Sequence, residues 1–170
     1  MALPPGELLD NAHIGTICTR VQFAADSCPA ASALGTAVAT TPLLDAPLTG
    51  TVYLRSSSNE LPDLVADLEG QFDFELAGRI DTAKNGALRT NFESLPDVPV
   101  SSFVLNLAGG SKGLLQNSKS LCGKPKKATV RMTGQNGAVR TAKTKLQASC
   151  STKARHKRHS KRRQTRKAVH

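Results

Sequence analysis

The chain has 170 residues and carries 23 Lys+Arg against 13 Asp+Glu, a formal net charge of +10. That length suits one domain, or one domain with a tail, and is enough to bury a core. With 39% hydrophobic and 21% charged residues, the composition excludes a wholly disordered chain, and no apolar stretch approaches the ~20 residues of a membrane helix.

Residues 1–12 have neither a basic start nor a long apolar stretch, so they do not form a signal peptide. Pro4-Pro5-Gly6-Glu7 reads as a linker. From there the apolar pattern has a period of two, which argues strands. Strands are expected at residues 14–23, 34–40, 50–55 and 64–68, with a helical turn entered from Pro62 as the alternative for 61–68. The clearest alternation follows. Phe72, Phe74, Leu76 and Ile80 oppose Asp73, Glu75, Arg79 and Asp81, while Leu88, Thr90 and Phe92 oppose Arg89, Asn91 and Glu93. Asn85-Gly86 between them marks a hairpin. A three-residue loop, Asn85-Gly86-Ala87, keeps both apolar rows on one face and pairs Ile80 with Phe92.

Another strand is expected at residues 102–107. Ala128, Val130 and Met132 then alternate with Thr129, Arg131 and Thr133 before a second turn at Asn136-Gly137. The return strand, 139–148, is mostly polar and reads as an edge guarded by Lys143 and Lys145. About nine short strands separated by turns predict an all-β antiparallel sandwich over residues 13–150. No internal repeat is expected.

The charge is uneven. Lys153, Arg155, Lys157, Arg158, Lys161, Arg162, Arg163, Arg166 and Lys167 place nine cations and no acid in residues 151–170, leaving a net +1 on the body. Such a run buries too little apolar surface to offset chain entropy, so a disordered tail is expected. It is suited to polyanions, through counterion release, or simply to solubility.

Cys18, Cys28, Cys122 and Cys150 contain no C-x2-C pair, so the usual zinc and redox motifs are absent. An even number bracketing the body predicts two disulfides, and sequence-neighbour pairing, 18 with 28 and 122 with 150, is expected among three connectivities. The alternative is four buried thiols in a reducing compartment. Disulfides imply export, so the missing signal peptide is reconciled if this chain is the terminal piece of a longer secreted one.

Catalytic signals are weak. His13 is the sole histidine before the tail; His156, His159 and His170 lie in it. The carboxylate pairs Asp63/Asp67 and Asp73/Glu75 read as solvated strand faces. Residues 109–113 (GGSKG) fail the P-loop spacing, Gly123-Lys124 is followed by Pro125, and no calcium loop is found. With no Trp, Tyr53 alone and five Phe mostly on core faces, a stacking platform for sugars or single-stranded nucleic acid is not expected. No catalytic, cofactor or metal residues are assigned.

Ordered segments nevertheless resemble something known. His13-Ile14-Gly15-Thr16 through Cys18, Ala25-Asp26-Ser27-Cys28-Pro29, Thr41-Pro42-Leu43-Leu44 and Gly50-Thr51-Val52-Tyr53-Leu54-Arg55-Ser56-Ser57 form the first part. Leu61-Pro62-Asp63-Leu64-Val65, Pro96-Asp97-Val98-Pro99-Val100, Phe103, and Gly109-Gly110 through Gly113-Leu114-Leu115-Gln116-Asn117-Ser118 to Leu121-Cys122 complete it. Together, over residues 13–150, they resemble the C-terminal module of large secreted or cell-surface actinobacterial proteins of uncharacterised function. The resemblance implies a module that follows an exported region, with a basic tail and neighbouring modules. It implies no activity.

The sequence thus predicts a linker-like start (1–12), a β-sandwich (13–150) and a basic tail (151–170). The expected role is a non-enzymatic extracytoplasmic interaction module, extracellular or on the cell surface, whose tail meets an anionic envelope polymer or other polyanion. The alternative is a cytosolic nucleic-acid-associated protein using the same tail non-specifically.

Overall fold

A computed structural model describes residues 1–150 except 11, 13, 94, 96, 97, 111 and 112. The fold is all-β and antiparallel, as the alternation predicts. Ten strands follow in order: β1 (Glu7–Leu9), β2 (Ala33–Thr40), β3 (Leu48–Arg55), β4 (Asp63–Glu69), β5 (Phe74–Thr82), β6 (Leu88–Phe92), β7 (Ser102–Leu107), β8 (Leu115–Asn117), β9 (Lys127–Thr133) and β10 (Val139–Lys145). A short α-helix, α1 (Arg20–Ala24), and a 3-10 turn, Ala30–Ser32, lie between β1 and β2.

Six strands form one sheet in the order β6-β5-β4-β3-β2-β7. Its inward rows are the period-two residues. Val52 and Leu54 of β3, Leu64, Ala66 and Leu68 of β4, and Leu76 and Ile80 of β5 build one buried cluster. The sheet curls far enough for its two end strands to meet through side chains. Phe92 on β6 and Phe103 on β7 pack edge-to-face with ring centroids 6.4 Å apart. Gly78, the cross-strand partner of Phe92, makes room for that ring, since a β-carbon there would come within 2.5 Å of Phe92 Cε1.

The start of the chain differs from expectation. Residues 1–12 are not a linker but part of the fold. Leu3, Leu9 and Ile14 pack on the core cluster, and β1 pairs with β8 from Glu7↔Asn117 to Leu9↔Leu115. Ala2 acts as a rung between β6 and β9, bridging both Arg89 and Thr129. The reason is apolar content: Leu3 and Leu9, set among loop-forming residues, have a core within reach.

No strand forms over 14–23. Cys18 makes a single bridge to Arg55, and α1 follows because Thr19 and Gln22 form a capping box. The Thr19 hydroxyl accepts from the Gln22 amide, and the Gln22 side chain accepts from the Thr19 amide. This helix lies over the outer face of β3, where Phe23 meets Tyr53 edge-to-face at 6.0 Å and the Arg55 guanidinium sits 4.9 Å from the Phe23 ring. Covered from both sides, Val65 of β4 is fully buried. Residues 63–69 are strand, not a helical turn.

The β5–β6 hairpin keeps both apolar rows inward, but its loop is Lys84-Asn85-Gly86 and Ile80 pairs with Thr90, not Phe92. Ala83 N–H donates to Ala87 C=O at 2.8 Å, and Gly86 takes φ 75°. The positive φ belongs at the last loop position of this bulged turn, so the glycine fixes the register one residue earlier than expected. The β9–β10 turn is built identically. Gly134 N–H donates to Ala138 C=O at 2.8 Å, and Gly137 has φ 77°.

That identity reveals a short repeat that the sequence reading missed. Residues 85–90 read Asn-Gly-Ala-Leu-Arg-Thr, and 136–141 read Asn-Gly-Ala-Val-Arg-Thr.

Candidate interaction surface

All four cysteines are paired, Cys18 with Cys28 and Cys122 with Cys150, their Cα atoms 5.1 and 5.8 Å apart. The two staples do different work. Cys18 is wholly buried, and its N–H and C=O bond to Leu54 and Ser56, so the first bridge locks the α1 loop against β3. The second bridge joins exposed residues on either side of a two-stranded ribbon. Cys122 lies five residues before Lys127, and Cys150 five after Lys145. One further ladder bond, Leu146 N–H to Lys126 C=O at 2.9 Å, continues toward that staple.

The ribbon, β9–β10, pairs from Lys127↔Lys145 to Thr133↔Val139. Because directly opposed residues share a face, Lys127, Arg131, Lys143 and Lys145 project from one side, with Thr129, Thr133, Thr141 and Val139. The other side carries Ala128, Val130, Met132 and Ala142, with Arg140 and Thr144. Ala128 is buried and Val130 and Ala142 are half-buried, whereas all four cations of the first side are exposed. Their positions were legible in sequence, but their convergence needed the register.

The near-neutral body hides a sharp division. All thirteen acids lie in residues 1–97, with five cations; residues 98–170 carry eighteen cations and no acid. The basicity is therefore not the property of a tail alone. The nine tail cations, Lys153 through Lys167, lie outside the described residues, as does His13.

Five of the acids, Asp63, Asp67, Glu69, Glu75 and Asp81, lie on the outer face of the six-stranded sheet. Burial raises the pKa of Asp67, and the carboxylates of Glu69, Asp26, Glu75 and Asp73 raise it further. Glu75 pairs with Arg55. Asp81 is bidentate to Arg89 at 2.7 and 2.9 Å, and that hydrogen bond lowers its pKa. Glu7 faces the Asn117 side chain, and burial raises its pKa while Lys126 pulls it back.

Asp63 and Asp67 share the outer face of β4 but serve different neighbours. Asp63 is buried and accepts from Asn59 Nδ2 at 3.3 Å. Among the described residues no group of three His, Cys, Asp or Glu converges to hold a metal. An open cleft of about 280 Å³ is lined by Asn59, Glu60, Arg79 and Asp81 among others. Its Asp81 is already paired with Arg89, and no nucleophile–base pair faces it. Among the described residues no helix is long and apolar enough to cross a membrane. Comparison with known family models, curated proteins and solved structures returns no match.

Proposed function

We propose that the chain is a non-enzymatic, extracytoplasmic interaction module, extracellular or at the cell surface, that adheres to an anionic envelope polymer through its basic C-terminal half. The observation that carries this reading is the pairing of all four cysteines in a chain whose residues 98–170 hold eighteen cations and no acid. Two cystines fit an oxidising compartment, and unopposed cations fit a polyanion bound by counterion release. The resemblance to modules of secreted actinobacterial proteins agrees with both.

Two measurements test it. Alkylation of the native protein without reductant should modify no cysteine; four alkylated thiols would contradict export and favour a cytosolic nucleic-acid-associated protein. Retention of the full chain on purified cell wall should fall steeply with salt. It should also weaken when the nine tail cations are replaced by glutamine. Retention on DNA that exceeds retention on wall at every salt concentration would favour the cytosolic reading.

A further inference from the structure

The β9–β10 ribbon holds its cations at an electrostatic cost. Lys127 and Lys145 stand directly opposite each other, a like-charge cross-strand pair of the kind that weakens strand pairing. No described acid forms an ion pair with Lys127, Arg131, Lys143 or Lys145; the described ion pairs, Arg55–Glu75 and Arg89–Asp81, both lie on the six-stranded sheet. A free two-stranded ribbon is itself marginal in water. This end of the ribbon is the one that the Cys122–Cys150 bridge closes, five residues beyond each lysine. The buried Ala128 and the half-buried Val130 and Ala142 turn the opposite face toward the body. Ala2 fixes the ribbon to the sheet through reciprocal bonds with Thr129 at 2.7 and 2.8 Å.

We propose that this face, formed by Lys127, Arg131, Lys143 and Lys145, is a preorganised docking surface for an extracellular phosphodiester polymer. The proposal rests on the reading above and deepens it by moving the specific contact from the tail into the folded body. Lys143 and Lys145, two apart on β10, are separated by about 7 Å, and Lys127 and Arg131, four apart on β9, by about 13 Å, so an extended polymer lying along the ribbon can meet cations on both strands. Binding relieves the Lys127–Lys145 repulsion, which no protein group among the described residues does. Thr129, between Lys127 and Arg131, and Thr141, opposite Arg131, put hydroxyl groups on the same face. Without an aromatic side chain, the ribbon offers bases nothing to stack on, which favours a polymer of phosphate and polyol over nucleic acid.

The test uses the full chain and soluble poly(glycerol phosphate) as probe. Lys127→Gln, Arg131→Gln, Lys143→Gln and Lys145→Gln together should weaken binding by at least about tenfold at low salt and flatten the salt dependence by about three units of logarithmic slope. All four positions are exposed, so the variant should keep its circular dichroism and its lack of free thiols. A matched pair separates face from net charge: Lys143→Gln should weaken binding more than Arg140→Gln, which removes the same charge from the other side of the ribbon. Equal losses would overturn the face. A full chain that binds but ignores the four substitutions contradicts this site alone. A full chain that does not bind the polymer contradicts the function proposed above as well. Tighter binding to duplex DNA at equal phosphate concentration would overturn the choice of partner.

Discussion

The two Asn-Gly hairpins share a turn, a register and nearly a hexapeptide, yet they meet opposite surroundings. In β5–β6, Leu88 is buried and Arg89 is bidentate to its cross-strand neighbour Asp81. In β9–β10 the equivalent Val139 is 53% exposed, and Arg140 stands opposite Met132 with no carboxylate. The turn residues dictate hairpin geometry, but they do not decide whether the hairpin becomes core or surface. That outcome depends on the flanking residues. Phe74, Leu76 and Ile80 of β5 supply apolar area for the core, whereas β9 and β10 supply cations and short side chains. Where burial cannot hold the strands together, a disulfide does so.

The largest expected separation between the two regions is in packing. Leu54→Ala, at a fully buried position, should cost about 2–5 kcal/mol in equilibrium denaturation. Met132→Ala, 52% exposed on the ribbon, should stay within about 0.5 kcal/mol. A comparable loss at Met132 would show that the ribbon belongs to the core unit.

The staple comes next. Cys122→Ser with Cys150→Ser reopens a loop whose closure contributes about 3–4 kcal/mol in the chain-entropy model. Hydrogen exchange should then accelerate at the amides of β9–β10 while β3–β5 keep their protection. Uniform acceleration would contradict a separately held ribbon.

The repeated glycines give a matched comparison. Gly86 and Gly137 both have positive φ, so alanine at either costs about 1 kcal/mol of local strain. Gly86→Ala should lower the melting temperature of the whole fold. Gly137→Ala should loosen only the ribbon, seen as faster exchange with an unchanged midpoint.

The smallest effect is in pH dependence. The lowered pKa of Asp81 means its contribution is present above the unfolded aspartate value and is lost as pH falls through the lowered one. Asp81→Asn should therefore flatten the acid limb of the stability curve. Asp67 acts in the opposite direction. With its pKa raised in the folded state, stability falls as pH climbs from the unfolded value to the raised one, and Asp67→Asn should remove that decline. Ribbon variants should leave both limbs unchanged.

Much of the sheet was legible because its inner rows alternate without interruption: Leu64, Ala66 and Leu68, then Phe74, Leu76 and Ile80. The pairing of cysteines with their sequence neighbours was expected as one of three connectivities, and only the structure singles it out. The first twelve residues were not, because two prolines and a glycine mask the apolar Leu3 and Leu9, which find partners only in the folded core. Residues 14–23 misled for a different reason: the apolar spacing there suits a strand, and the Thr19-x-x-Gln22 capping box outweighs it locally. The cationic face of the ribbon was half visible. Lys143 and Lys145 read as guards of an edge; only the register set them beside Lys127 and Arg131. Summing charge over residues 1–150 concealed the rest, since the acids of the sheet cancelled the cations of the ribbon.

The most direct measurement is a backbone amide chemical-shift map of the full chain titrated with poly(glycerol phosphate). Shifts among residues 122–150 that grow with polymer and vanish with salt, with β2–β6 unmoved, are the predicted result. Shifts centred on the six-stranded sheet, or confined to residues 151–170 with the ribbon silent, would contradict it.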